Sequence, residues 1–124
     1  MLTEIKKEKI THTQLVKYAG ASGDFNPIHT VVPLAQKAGL KDCIAHGMLV
    51  MGMAGEALGK WGVQKDLQLF NVRFSAMTYP GEELVIQGNW TDEEKLKGDL
   101  TVSNTEGEVK LKGKFQLRQE EKAE

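Results

Sequence analysis

The segment Gly47-Met48-Leu49-Val50-Met51-Gly52-Met53-Ala54-Gly55-Glu56-Ala57-Leu58-Gly59-Lys60-Trp61 constrains the fold of this chain more than any other. It is long enough for a helix, yet its first half is apolar nearly all round. A helix without a polar face is ordinarily buried inside a core. A bilayer span needs ~20 apolar residues, so this helix is too short to be one. Another part of the chain therefore has to cover it. Gly52, Gly55 and Gly59 recur at helical spacing although glycine costs a helix about 1 kcal/mol against alanine. That spacing predicts a face on which another backbone comes close.

The covering material follows in the chain. Val109, Leu111, Gly113, Phe115 and Leu117 alternate with Lys110, Lys112, Lys114, Gln116 and Arg118, which predicts a strand with one buried face and one wet face. Residues 84–86 and 100–102 read as further strands, residues 67–77 as a longer one, and residues 5–10 as a fifth. Asn104-Thr105-Glu106-Gly107 supplies a turn between the strand at 100–102 and the alternating strand from Val109. Upstream, Thr11-His12-Thr13-Gln14 has capping-box spacing, and Gly20 and Gly23 suit the end of the helix it opens. Proline disfavours the α conformation at Asn26, so residues 22–30 form an ordered loop. Pro33 opens a short helix, residues 33–38, with Gly39 beyond its end. The expected class is α+β: an antiparallel sheet wrapped around one central helix. A few strands curled over one helix leave an edge open, a physical reason to expect dimerisation.

Composition removes several classes of function. At 124 residues, 40% apolar and 27% charged, the chain is ordinary globular material for one domain. We place that domain over residues 1–118 and a charged tail over 119–124. Sixteen Lys and Arg against seventeen Asp and Glu leave a net charge of −1, which advertises neither a nucleic-acid nor a membrane partner. Cys43 is the lone cysteine, so no internal disulfide forms, and no Cys/His array marks a zinc site. The basic residues near the N-terminus precede no apolar stretch of the secretory type, and a cytoplasmic protein is expected.

Two places could carry chemistry. Ser22-Gly23-Asp24-Phe25-Asn26-Pro27-Ile28-His29 brings an Asp and a His to one bent loop, where both can reach a single water for acid–base work, with Asn26 between them. The same residue types are also what plain turns are made of. Ala45-His46-Gly47-Met48 lies where the apolar helix begins, and free N–H groups there can hold a carbonyl oxygen gaining negative charge. The alternative is a turn glycine beside a histidine hydrogen-bonded in the core. Gly20-Ala21-Ser22-Gly23 lacks the Lys of a phosphate loop. Asp24, His29 and His46 could bind a metal but have no ligand spacing, and Ser22 has no support as a nucleophile. Cys43 reads as a packing residue; Met48, Met51 and Met53 suit either core filler or the wall of an acyl tunnel.

Tyr18-Ala19 followed by Ser22-Gly23-Asp24-Phe25-Asn26-Pro27-Ile28-His29 resembles the hydratase motif of MaoC-like (R)-specific enoyl-CoA hydratases. Ala45-His46-Gly47-Met48-Leu49 follows at the family's usual distance, and Asn71-Val72-Arg73-Phe74 and Pro80-Gly81-Glu82 resemble its first long strand and the turn after it. Within the family the chain is similar to short, single-hotdog dehydratases, such as the catalytic B-type subunit of the mycobacterial fatty-acid synthase II dehydratase. The resemblance implies a hotdog fold paired as a dimer and reversible hydration of trans-2-enoyl thioesters to (3R)-hydroxyacyl thioesters in fatty-acid metabolism. It implies Asp24 and His29 as the catalytic pair, Asn26 as a water or substrate ligand, and the Gly47 N–H as oxyanion donor. Neither metal nor organic cofactor is implied. The implied partners are an acyl thioester of CoA or acyl-carrier protein and a second hotdog subunit, identical or related. Gly55 stands where some bacterial homologues carry a Ser, so a role for that hydroxyl does not transfer. The competing expectations are a non-catalytic hotdog partner that only holds the acyl thioester, and a hotdog thioesterase.

Overall fold

Thr11 accepts a hydrogen bond from the Gln14 N–H through its hydroxyl and so starts the first helix of the computed structural model, which describes residues 2–119. That helix, α1 (His12–Ser22), runs through Gly20 and stops at Gly23, whose left-handed φ of 77° returns its N–H to the Ala19 carbonyl. Strand β1 (Ile5–Lys6) precedes it. A single 3₁₀ turn, Pro27–His29, and the short helix α2 (Val32–Lys37) follow. Then come α3 (Gly47–Lys60) and the strands β2 (Leu67–Phe74), β3 (Leu84–Trp90), β4 (Lys97–Asn104) and β5 (Val109–Leu117).

The strands form one antiparallel sheet in the order β1-β3-β4-β5-β2. Val50, Met53, Ala54, Ala57 and Leu58 of α3 are buried in one core with Leu84, Ile86, Leu100, Val102, Leu111 and Phe115 of the sheet. This is the hotdog arrangement, with the helix laid against the inner sheet face. Glycines on that face make room for rings. A Cβ at Gly98 would lie 2.2 Å from Phe115, and one at Gly88 2.6 Å from Trp61.

Four expectations need correction. Strand β2 stops at Phe74 and does not reach Met77. Only Ile5 and Lys6 of residues 5–10 pair as a strand, although Leu2, Lys7 and Ile10 still donate backbone hydrogen bonds toward β3 and the turn before it. No backbone approaches Gly52 or Gly55, since a Cβ at either would meet nothing within 4 Å, and Gly59 faces only the Gln64 side chain. Lys110 is not on the wet face. The β4–β5 register shifts at Val102/Ser103, Lys110 is the extra residue, and its side chain is 1% exposed. The charged tail read at 119–124 lies outside the described residues beyond Gln119.

Candidate active site

The loop after α1 is ordered by its own side chains. The Ser22 hydroxyl accepts from the Asp24 N–H, Asp24 Oδ1 from the Asn26 N–H, and Asn26 Oδ1 from the Ile28 N–H, each at 3.2 Å. The turn-forming reading of these residues is therefore correct, and it is also how the loop aims its functional groups. Asn26 caps the 3₁₀ turn with its oxygen, which leaves its amide nitrogen as the group free to meet a ligand.

His29 closes the loop from inside. Its Nδ1–H donates to the Ile44 carbonyl at 2.7 Å, since a carbonyl can only accept. Nε2 is then the ring nitrogen not engaged by Ile44. The Ile44 N–H donates back to the Ile28 carbonyl, so the loop and the segment leading into α3 are tied in both directions. The Asp24 side chain is half exposed, with its second oxygen turned toward His46. One carboxylate oxygen of Asp24 and one ring nitrogen each of His29 and His46 lie within 4.8 Å of one another.

His46 was expected only as a core histidine or a metal ligand, and it is central to the site. It is buried, stacks on His29 with ring centroids 3.6 Å apart, and takes the edge of Tyr18 on its other contact. Its Nε2–H donates to the Asp24 carbonyl at 3.0 Å and lies 3.6 Å from the carboxylate. Its Nδ1 is buried without a partner. The sequence clue was its place immediately before the helix-opening glycine, but its partner is twenty-two residues away.

Gly47 begins α3, and no side chain caps that end, so the first N–H groups stay free at the positive pole of the helix. The space there is tight: a Cβ at Gly47 would sit 3.2 Å from the Phe74 ring, which would have to give way slightly. Phe74, at the end of β2, is thus a wall of the site that the sequence did not flag.

Among the described residues, Asp24, His29 and His46 are the group with donors suited to a metal. His29 Nδ1 and His46 Nε2 each spend a hydrogen on a backbone carbonyl, that of Ile44 and that of Asp24. That geometry fits acid–base work and positioning better than coordination. Cys43 is fully buried, and burial together with the Asp42 carboxylate pushes its thiol up, away from a nucleophilic thiolate.

The sequence model described as "MaoC like domain" matches residues 2–112. The fatty acid synthase beta subunit pkiC of Emericella nidulans is 40% identical over 73 residues, 56% of this chain and 4% of that protein. The peroxisomal enoyl-CoA hydratase 2 of Arabidopsis thaliana is 31% identical over 84 residues, 65% of this chain and 27% of that protein. The chain thus spans only a small part of the curated relatives it matches. A MaoC-like dehydratase crystal structure from Phytophthora capsici superposes with a TM-score of 0.82 at 28% identity, over 96% of this chain and 42% of that one.

Proposed function

This chain belongs to the MaoC-like domain family, and from that membership we propose that it is a hydratase/dehydratase interconverting trans-2-enoyl and (3R)-hydroxyacyl thioesters of CoA or acyl-carrier protein in fatty-acid metabolism. The observation that carries the reading is the gap between Asp24, His29 and His46. Groups within 4.8 Å of each other can share one bound water, beside an uncapped helix N-terminus.

The thioester carbonyl accepts from the Gly47 N–H, which draws electron density from C3. Asp24 takes a proton from the water as its oxygen bonds to C3. His29 delivers a proton from Nε2 to C2, while its Nδ1–H stays on Ile44 and fixes the ring. The proton on Asp24 then passes to His29 Nε2, directly or by exchange through solvent, and both groups are restored. Asn26 offers its amide nitrogen to the water or to the substrate. Elimination of water from the hydroxyacyl thioester is the same path reversed.

We also infer a two-fold dimer with the sheets side by side. Phe25, Met48, Phe74 and Met77 are all exposed, and each neighbours a site residue or its supports. A cytoplasmic location suits the single unpaired cysteine; no helix among the described residues is long and apolar enough to cross a membrane.

The test is a short enoyl-CoA followed in the ultraviolet together with a thiol reagent. Loss of the conjugated absorbance without free thiol is the expected result, with an R-configured product. Thiol release instead means a thioesterase, and neither signal means a binding subunit. Light scattering on the same sample should give twice the chain mass. Activity that appears only with a related hotdog chain would make the pair a heterodimer, whereas a fully active monomer would refute pairing.

A further inference from the structure

The least expected group in the fold is Lys110, a charged residue 1% exposed in a strand whose neighbours alternate as predicted. Its ammonium sits among three oxygens: Glu82 at 3.0 Å, Glu108, and the Met77 carbonyl at 2.7 Å. Glu82 also accepts from the Tyr79 N–H at 2.8 Å and from the Asn104 amide at 2.9 Å. Burying a cation is costly unless its partners are this complete. The strand had a cheaper alternative on the wet face, and the bulge turns the residue away from it.

What the cluster holds is the link between β2 and β3. The Lys110 carbonyl accepts from the Ser75 N–H at 2.9 Å, and its ammonium donates to Met77, so one residue brackets Ser75–Met77 from both ends. On one side of that bracket is Phe74, whose ring lies against Gly47. On the other is buried Thr78, whose carbonyl accepts from the Ala45 N–H at 2.8 Å. Ala45 is two residues before Gly47. Two contacts at the α3 N-terminus therefore hang from Lys110, beside the ties that His46 and Ile44 make to the Asp24 loop.

We propose that Lys110, with Glu82 as its partner, is a positioning residue that sets the Gly47 N–H for the thioester carbonyl, through the Phe74 ring and the Thr78–Ala45 hydrogen bond. The inference rests on the hydratase reading for its consequence in turnover, but not for its structural content. If the donor is displaced, an oxyanion contact is weakened while groups that bind the rest of the substrate stay in place.

The experiment compares wild type, Lys110→Met and Glu82→Gln, each labelled with ¹⁵N, by amide chemical shifts and by kcat and KM on a short enoyl-CoA. The expected result is that the Ala45 and Gly47 amide signals move while that of Ala57, farther along α3, does not. In the same variants kcat falls by about tenfold or more with KM within about twofold. A loss of stability alone would lower the melting temperature without shifting native signals or the turnover of folded molecules. Folded variants with unmoved Ala45 and Gly47 signals, or with moved signals and wild-type kcat, overturn the proposal. If Lys110→Met fails to fold, Glu82→Gln decides, because it keeps the size and the acceptor oxygen of the glutamate. A wild type that hydrates nothing sinks the hydratase reading, while the amide shifts still test the mechanical link.

Discussion

Replacing Asp24 by Asn separates chemistry from architecture at the site. The side chain is 54% exposed, and its Oδ1 accepts from the Asn26 N–H at 3.2 Å. Asparagine supplies that same oxygen, so the turn survives. The new NH₂ would face the His46 N–H across 3.6 Å, a weak donor–donor approach. The stability cost should stay within about 1 kcal/mol, a melting shift of roughly 5 °C or less for a domain of this size. The rate should fall far more. A general base contributes roughly 10²–10⁴-fold, equal to about 2.7–5.4 kcal/mol of barrier. Asp24→Ala serves as the comparison: it loses the base and also the turn acceptor. Its turnover should match that of the Asn variant, while its stability drops by a further 0.5–1.5 kcal/mol or so. The assay is ultraviolet loss of enoyl-CoA beside a thermal melt of the same preparation. An Asn variant with a near wild-type rate would refute Asp24 as the base.

His29→Ala should lose turnover on the same roughly 10²–10⁴-fold scale and destabilise more than Asp24→Asn, because the ring is buried against His46 and bonded to Ile44; kinetics and melting together check both halves. Gly47→Val brings a branched carbon 3.2 Å from the Phe74 ring. That ring is half exposed and can yield, so turnover should fall much more than melting temperature, and unchanged kinetics would move the oxyanion role elsewhere. The buried cluster gives a pH prediction. Burial would raise the Glu82 carboxyl, but the Tyr79 N–H, the Asn104 amide and Lys110 outweigh it and hold the group below its ordinary 4.5. Its contribution is complete above that value and is lost as pH falls through the folded pKa. Burial likewise opposes the Lys110 charge, and Glu108 and Glu82 outweigh it, raising the group above 10.5; that contribution is complete below 10.5 and is lost as pH rises through the folded value. In urea unfolding, the stability gap between wild type and Glu82→Gln should shrink as pH is lowered from about 7 to about 3, and a constant gap would contradict the assignment.

What could be read from the sequence was what depends on neighbours along the chain. The Thr11 cap, the Gly23 stop, the ordered loop before Pro27 and the start of α3 at Gly47 are all local, and all stand as expected. Asp24 and His29 belong on one bent loop because they are only five positions apart, and the structure does bring them together. Lys110 was misplaced because alternation assumes an unbroken register, and the shift that turns it inward is decided by its pairing with β4. His46 and Phe74 escaped for a related reason. Their partners, Asp24 and Gly47, come from other elements, and no spacing rule encodes a contact made by folding. Gly52, Gly55 and Gly59 show the opposite failure, a tidy period with no close backbone to match it.

The two edges of the sheet are unequal. β1 offers two ladder residues and β2 offers eight. If copies joined head to tail, β1 on the next copy's β2, two residues would have to hold eight, and most N–H and C=O groups of the long edge would go unmatched. β2 against β2, running antiparallel about a two-fold axis, matches equal lengths and uses up both long edges in one step. Growth that starts at β2 is therefore finished after a single addition. If copies pair this way, the edge left open on each is the two-residue β1, which is too short to template a further strand.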